Sequence, residues 1–221
     1  MSFVIINKGL NEPILEGYHF THKELHPNSN SNLTDQVGLP DKLKIAVNTL
    51  HVLEAIRRYY GVPIHINASA RTKQYQSTLS GGAANSEHVI DSSGWFSALD
   101  IDFENNSEDY RNDFRKHIIN RTPFFESLLE LGLNGIGLYD TFFHIDAGER
   151  REEKTKGFSL NGKKYSKWDY RHSKPELSFL DSASGTISNY ANLISGINNE
   201  GSDEITTDLQ GVVKKSLSIL S

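Results

Sequence analysis

Apolar positions recur through the first 150 residues with two different periods, and each change of period marks a new element. Phe3-Val4-Ile5-Ile6 is a short apolar run followed by Gly9 and Pro13, which reads as an arm or edge strand over residues 1–17, ahead of the main domain. From Pro40 the spacing turns helical. Leu43, Ala46, Val47, Leu50, Leu53, Ala55 and Ile56 fall near a period of 3.6 and stop at Gly61 before Pro63, predicting one long helix. Pro63 to Ser69 alternates like a half-buried strand, with His65 on its polar face, and Arg71 to Leu79 predicts a short helix stopped by Gly81-Gly82. Alternation returns at Ser97 to Phe103, placing Leu99, Ile101 and Phe103 on one face and Ala98, Asp100 and Asp102 on the other.

Glu108 to Leu131 is helical with a break at Thr122-Pro123, because proline removes an interior hydrogen bond. Gly135 to Tyr139 and Phe142 to Asp146 follow as two strand segments or one bent strand. Helices and strands in this order predict an α+β fold, a small and mostly antiparallel sheet with flanking helices. Tyr18 to Pro40 is rich in His, Asn and Ser and reads as an irregular loop with a short helix near Thr21 to Leu25. Its three histidines, His19, His22 and His26, invite a metal reading, but such surroundings are more often a solvated loop.

Gly148 to His172 is basic and polar, with no element predicted. From Asp181 the chain is dominated by Ser, Asn and Gly, the composition of a tail. Two helical stripes persist there: Ile187, Tyr190, Ala191 and Ile194, then Ile205, Leu209, Val212, Val213 and Leu220. They predict short amphipathic helices that dock on the domain or on a partner. The expected division is an arm at 1–17, a domain at 18–172 and a linker or docking segment at 173–221.

Composition narrows the chemistry. With 221 residues, 37% hydrophobic and 10% aromatic, the chain can bury a core without staples. A net charge of -5 with scattered basic residues lacks the footprint of a general nucleic-acid binder. No apolar stretch is long enough to span a bilayer. Met1 to Lys8 lacks the features of a secretory signal, so synthesis in the cytoplasm is expected. The absence of cysteine excludes thiolate metal sites and a Cys nucleophile, leaving His, Asp and Glu for any metal.

Two patches put metal-ligating types on or beside strands: Ser86-Glu87-His88 leading to Asp100-Ile101-Asp102, and His144-Ile145-Asp146. A zinc ion that keeps one position open takes three protein ligands, and two His plus a carboxylate is an ordinary set. His88, Asp100 and His144 supply it. Alternation puts Asp102 on the face of Asp100 and Asp146 on the face of His144, where the second carboxylates would orient a ligand or act as base.

The ordered motifs Ser69-Ala70-Arg71-Thr72, Gly81-Gly82-Ala83-Ala84-Asn85-Ser86-Glu87-His88, Ala98-Leu99-Asp100-Ile101 and Gly135 to Gly148 resemble the zinc peptidases of the D-alanyl-D-alanine carboxypeptidase and L-alanyl-D-glutamate endopeptidase family. The resemblance covers Tyr18 to Gly148. His19-Phe20-Thr21 to Glu24-Leu25 is similar to the opening motif of the family's compact, often phage-encoded branch. The resemblance implies a hedgehog-type zinc peptidase domain whose antiparallel sheet floors a cleft, with zinc on His88, Asp100 and His144. It implies that Arg71 meets a substrate carboxylate or the polarised carbonyl oxygen and that Ser86 supports the site; Tyr139 and Trp95 are expected to contact substrate. The implied substrate is the stem peptide of bacterial peptidoglycan. The implied setting is a lysin released during phage lysis or a wall-degrading part of a virion, with residues 181–221 serving a virion or homo-oligomer partner.

Two features depart from the family pattern. His88 to Asp100 is longer by an insertion containing Val89 to Phe96. Trp95-Phe96 would then form part of a lid or subsite, or Trp95 belongs to the core; the alternative is that Asp91 or Asp102 is a ligand, or that no metal binds. In some relatives an acid lies three residues before the last ligand His, but Thr141 stands there. Asp146, sharing a face with His144, is the preferred base and Asp140 the other candidate. A fold that kept the cleft but lost turnover, gripping wall peptide or serving as a virion part, is the rival expectation.

Overall fold

The computed structural model describes residues 2–27, 36–79, 85–103, 108–148, 157–160 and 163–172. The expectations for Asn28 to Asn32, for Gly81 to Ala84 and for the segment at 173–221 with its two stripes lie outside the described residues. The chain forms an α+β fold with two sheets. The first holds β1 (Phe3–Asn7), β2 (Lys42–Ala46) and β4 (Trp95–Phe96), in the order β1-β2-β4.

The second sheet contains β3 (Ile64–Ala68), β5 (Ala98–Phe103), β6 (Gly135–Leu138), β7 (Phe143–Asp146), β8 (Gly157–Leu160) and β9 (Lys163–Asp169). Their order is β3-β5-β7-β6-β9-β8, antiparallel throughout except between β6 and β9. The helices are α1 (His22–Leu25), α2 (Val47–Tyr60), α3 (Lys73–Thr78), α4 (Glu108–Asn120) and α5 (Pro123–Glu130).

The long helix expected from Pro40 to Gly61 divides in two. Lys42 to Ala46 is a strand between β1 and β4, and the helix proper begins at Val47. Leu43 and Ala46 lie in phase with the helix that follows, so the helical reading absorbed the strand. The pairing decides it: Leu43 and Ile45 are fully buried while Lys42 stays exposed, the alternation of a strand. Gly61 ends α2 in the left-handed region at φ 66°, where glycine carries no Cβ penalty. The other helix boundaries follow local chemistry. Thr21 and Glu24 form a reciprocal capping box on α1, Thr72 caps α3 and Pro123 opens α5.

β1 is hydrogen-bonded to β2 along its length, and Ile6 is buried in the common core. The insertion is also structural. β4 runs parallel to β2, and Phe96 is fully buried, so the expected lid is not made by Phe96. β8 and β9 also went unpredicted, because the lysines at 163, 164 and 167 mask an alternation that buries Tyr165.

The second sheet has two unlike faces. Leu99, Ile101 and Phe103 of β5 and Phe143 and Ile145 of β7 share one apolar core with Leu53 and Ile56 of α2, Phe114 of α4 and Phe125 of α5. The intervening residues, Asp100, Asp102, His144 and Asp146, are buried polar groups on the opposite face. Such groups persist only when their charges and hydrogen bonds are satisfied, so the core fixes where the polar chemistry must occur.

The opening segment is tied to α2 by buried polar groups. Glu54 accepts from the backbone N–H of His19 and from Arg58 Nε, and Tyr18 Oη meets His51 Nδ1. Burial lowers the His51 pKa from 6.5 to about 4. The folded state thus resists a proton that the unfolded chain takes up from 6.5 downward, so stability is intact above 6.5 and is lost as pH falls toward 4. The stability difference between wild type and His51→Gln should therefore change by about 3 kcal/mol between pH 7 and pH 4 in urea denaturation. A difference that does not vary with pH would contradict this burial.

Candidate metal centre

β5 and β7 pair in a register that sets Asp100 opposite His144 and Ala98 opposite Asp146. His88 comes from a turn laid along the end of β3. Arg71 N–H donates to His88 O at 2.7 Å and Ile90 N–H returns to Arg71 O at 2.9 Å, while Ser86 Oγ accepts from His88 N–H. These bonds bring the side chain of His88 to the pair on the sheet. His88 Nε2 lies 3.1 Å from Asp100 Oδ1 and 3.1 Å from His144 Nδ1, and His144 Nδ1 lies 3.0 Å from Asp100 Oδ1.

The outer contacts fix the tautomers. His88 Nδ1 lies 2.7 Å from the carbonyl oxygen of Ser69, which can only accept, so that nitrogen carries the proton. His144 Nε2 lies 2.9 Å from Asp146 Oδ2, again an acceptor, so its proton sits there. In the neutral rings the two inward nitrogens are then lone pairs, and the third inward atom is a carboxylate oxygen. Three acceptors facing one another at 3.0–3.1 Å have no donor among them. Such a triangle could hold a metal ion.

The fit to a metal is close. Ligand bonds of roughly 2.0–2.1 Å in a tetrahedron put neighbouring ligand atoms about 3.3 Å apart. Two His and one Asp, nearly excluded from solvent, are an ordinary zinc set with a fourth position free. Among the described residues this is the group of His, Asp and Glu side chains placed to share an ion.

The electrostatics show how strongly the Asp100 carboxylate draws positive charge inward. Burial, together with the Arg71 charge, lowers the His88 pKa to about 4, so its ring is neutral and its inward lone pair available near pH 7. Burial opposes charge on Asp100, but His88 and His144 outweigh it and hold the carboxyl well below its ordinary range. At His144 burial is likewise overcome, by hydrogen bonds to Asp100 and Asp146, and the pKa is raised. Arg71 secures the remaining oxygen of Asp100, NH2 donating to Oδ2 at 2.6 Å.

Several sequence-based roles change. Asp146, the preferred base, lies behind His144 at the nitrogen turned away from the triangle and is 1% exposed; its other oxygen accepts from Gly148 N–H. That position suits an acceptor that orients the ring, not a group that meets bound water. Asp140 lies in the turn between β6 and β7, where its Oδ2 accepts from His172 backbone N–H and contacts His172 Nδ1 at 2.8 Å. The bonds from His172 lower its pKa.

Arg71 is engaged with Asp100, and Ser86 supports the backbone of His88. Trp95 sits on β4, in the other sheet, paired in register with Lys44. The alternative ligands do not join the triangle. Asp102 is paired with Arg111 at 3.1 Å, and Asp91 Oδ1 accepts from Ser93 and Trp95 within its own loop. The three clustered histidines also separate: His19 contacts Glu54, His22 accepts from Asn7 N–H, and His26 contacts Pro40 O.

Trp168 is the site residue that sequence reasoning missed. Its indole lies 5.0 Å from the His144 ring and its Nε1–H donates to Tyr139 Oη at 3.1 Å. The available signal was the Gly135-x-Gly137 spacing of β6. A Cβ at Gly135 would collide with the Asp146 carboxylate, and one at Gly137 would lie 2.5 Å from the Trp168 indole. The bare face of β6 makes room for the groups around His144.

The sequence model of the family described as Peptidase M15 matches residues 18–146. Neither the curated proteins nor the solved structures contain a match. The geometry predicts one tight zinc site per chain. Asp146→Asn should weaken zinc binding by about 10–100-fold, the usual cost of losing such an acceptor, and Asp140→Asn should leave it within about twofold. Competition against a chromophoric chelator measures both.

Proposed function

The chain belongs to the peptidase M15 family, and from that premise we propose that it is a zinc-dependent peptidase cleaving the stem peptides of bacterial peptidoglycan, as an endopeptidase or carboxypeptidase. The observation that carries the reading is the triangle of inward-facing acceptors, His88 Nε2, Asp100 Oδ1 and His144 Nδ1. Zinc bound there would supply Lewis acidity and lower the pKa of a water molecule. The chain's own residues do the rest. Ser69 O and Asp146 hold the two imidazoles in the ligating tautomer, and Arg71 fixes the orientation of Asp100. Asp140, joined to the exposed ring of His172, is the candidate for moving the water proton to the leaving amine.

Resemblance to the compact, often phage-encoded branch supports a role as a phage lysin or a virion-borne wall-degrading part, with 181–221 as its docking segment. Among the described residues no helix is long and apolar enough to cross a membrane. A second reading, a wall-binding or virion component without turnover, draws on one observation: both carboxylates expected to act as base are engaged elsewhere, Asp146 by His144 and Asp140 by His172.

Purified peptidoglycan incubated with the zinc-loaded protein should release free amino groups. His144→Ala should abolish release, and Asp140→Asn should lower it by about 10²–10⁴-fold with zinc retained, the range for a lost general base. Zinc binding without release from several wall types would favour the second reading.

A further inference from the structure

The wall of the site beyond His144 is aromatic and comes from the β6–β7 turn and β9. Tyr139 stacks on Phe142 at 4.1 Å and 11° and lies 5.7 Å from Tyr170, so its ring is confined and half-buried. Its hydroxyl oxygen receives the Trp168 indole N–H. An indole nitrogen donates and never accepts, so the phenolic proton must point away from Trp168. Trp168 itself is braced against His144 through the space that Gly137 leaves open.

Arg71, the group expected to meet the carbonyl oxygen, is committed to Asp100 Oδ2. The site therefore contains a phenol whose acceptor side is filled by Trp168 and whose donor side meets no acceptor among the described residues, the indole itself lying against a ring of the metal triangle. Burial raises the Tyr139 pKa, with the Trp168 bond opposing and the Asp100 charge adding, so the hydroxyl keeps its proton at neutral pH.

Resting on the peptidase reading above, we propose that Tyr139 Oη–H donates a hydrogen bond to the scissile carbonyl oxygen of the substrate peptide as negative charge develops there, and that Trp168 is the positioning residue that aims it. The interaction strengthens as the carbonyl becomes an oxyanion, so it acts on turnover more than on ground-state binding. Trp168 contributes by occupying the Tyr139 oxygen, which leaves one direction for the proton.

The test has two independent readouts. The chain contains two tryptophans, Trp95 and Trp168, and hence two indole N–H resonances. In the metal-free protein, Tyr139→Phe should shift one of them upfield and speed its exchange, with the other unmoved. With zinc loaded and a muropeptide as substrate, Tyr139→Phe should lower kcat by about 10²–10³-fold with KM and zinc content little changed, the range for removal of one oxyanion donor. Trp168→Phe, which keeps a ring against His144, should lower kcat by a smaller factor and cost nothing further in the Tyr139→Phe background.

An unmoved indole resonance, or kcat within about twofold of wild type, overturns the inference. If the wild type cleaves no wall peptide, the peptidase reading fails first. Affinity of the zinc-loaded protein for a phosphinate dipeptide, a mimic of the tetrahedral oxyanion, then decides: at least about tenfold weaker binding by Tyr139→Phe supports the donor role, and equal binding overturns it.

Discussion

Two imidazole lone pairs and a carboxylate oxygen face one another across 3.0–3.1 Å in a nearly dry pocket, and no hydrogen atom of the neutral groups lies between them. Each inward lone pair is enforced from outside, by Ser69 O on His88 and by Asp146 on His144. Acceptors brought face to face in a low-dielectric interior repel one another, and several at once do so more strongly. The arrangement makes physical sense as the protein's share of a coordination shell, and the surrounding structure reads as the means of holding that shell in place.

Most of that structure is sheet geometry. The β5–β7 register puts Asp100 opposite His144, and the strand period puts the residues between them into the apolar core. β6 keeps glycine at the two positions facing Asp146 and Trp168, so a carboxylate and an indole fit where side chains would otherwise stand. The loop bearing His88 is stitched to the strand end by backbone bonds at Arg71. The added residues between His88 and Asp100 do not disturb this arrangement because they turn outward, pair with β2 and bury Phe96 in the core.

The shared face of Asp100 and His144 was legible because alternation is a local signal: both follow from position along a strand. What escaped depended on partners distant in sequence. β2 read as helix because Leu43 and Ala46 are in phase with the helix that follows, and only pairing with β1 and β4 reveals the strand. β9 was hidden by its lysines, and with it Trp168. Asp146 shared a face with His144 as alternation required, yet shared faces do not reveal which imidazole nitrogen a carboxylate meets, and that distinction moves it from proton transfer to orientation.

The account stands on where a metal binds and through which atoms. Anomalous diffraction at the zinc edge from crystals of the zinc-loaded protein tests that most directly. The predicted result is one peak within about 2.0–2.2 Å of His88 Nε2, Asp100 Oδ1 and His144 Nδ1, with Asp146 still bonded to His144 Nε2. A peak on the Asp146 side of His144, or no peak at the triangle, would contradict it.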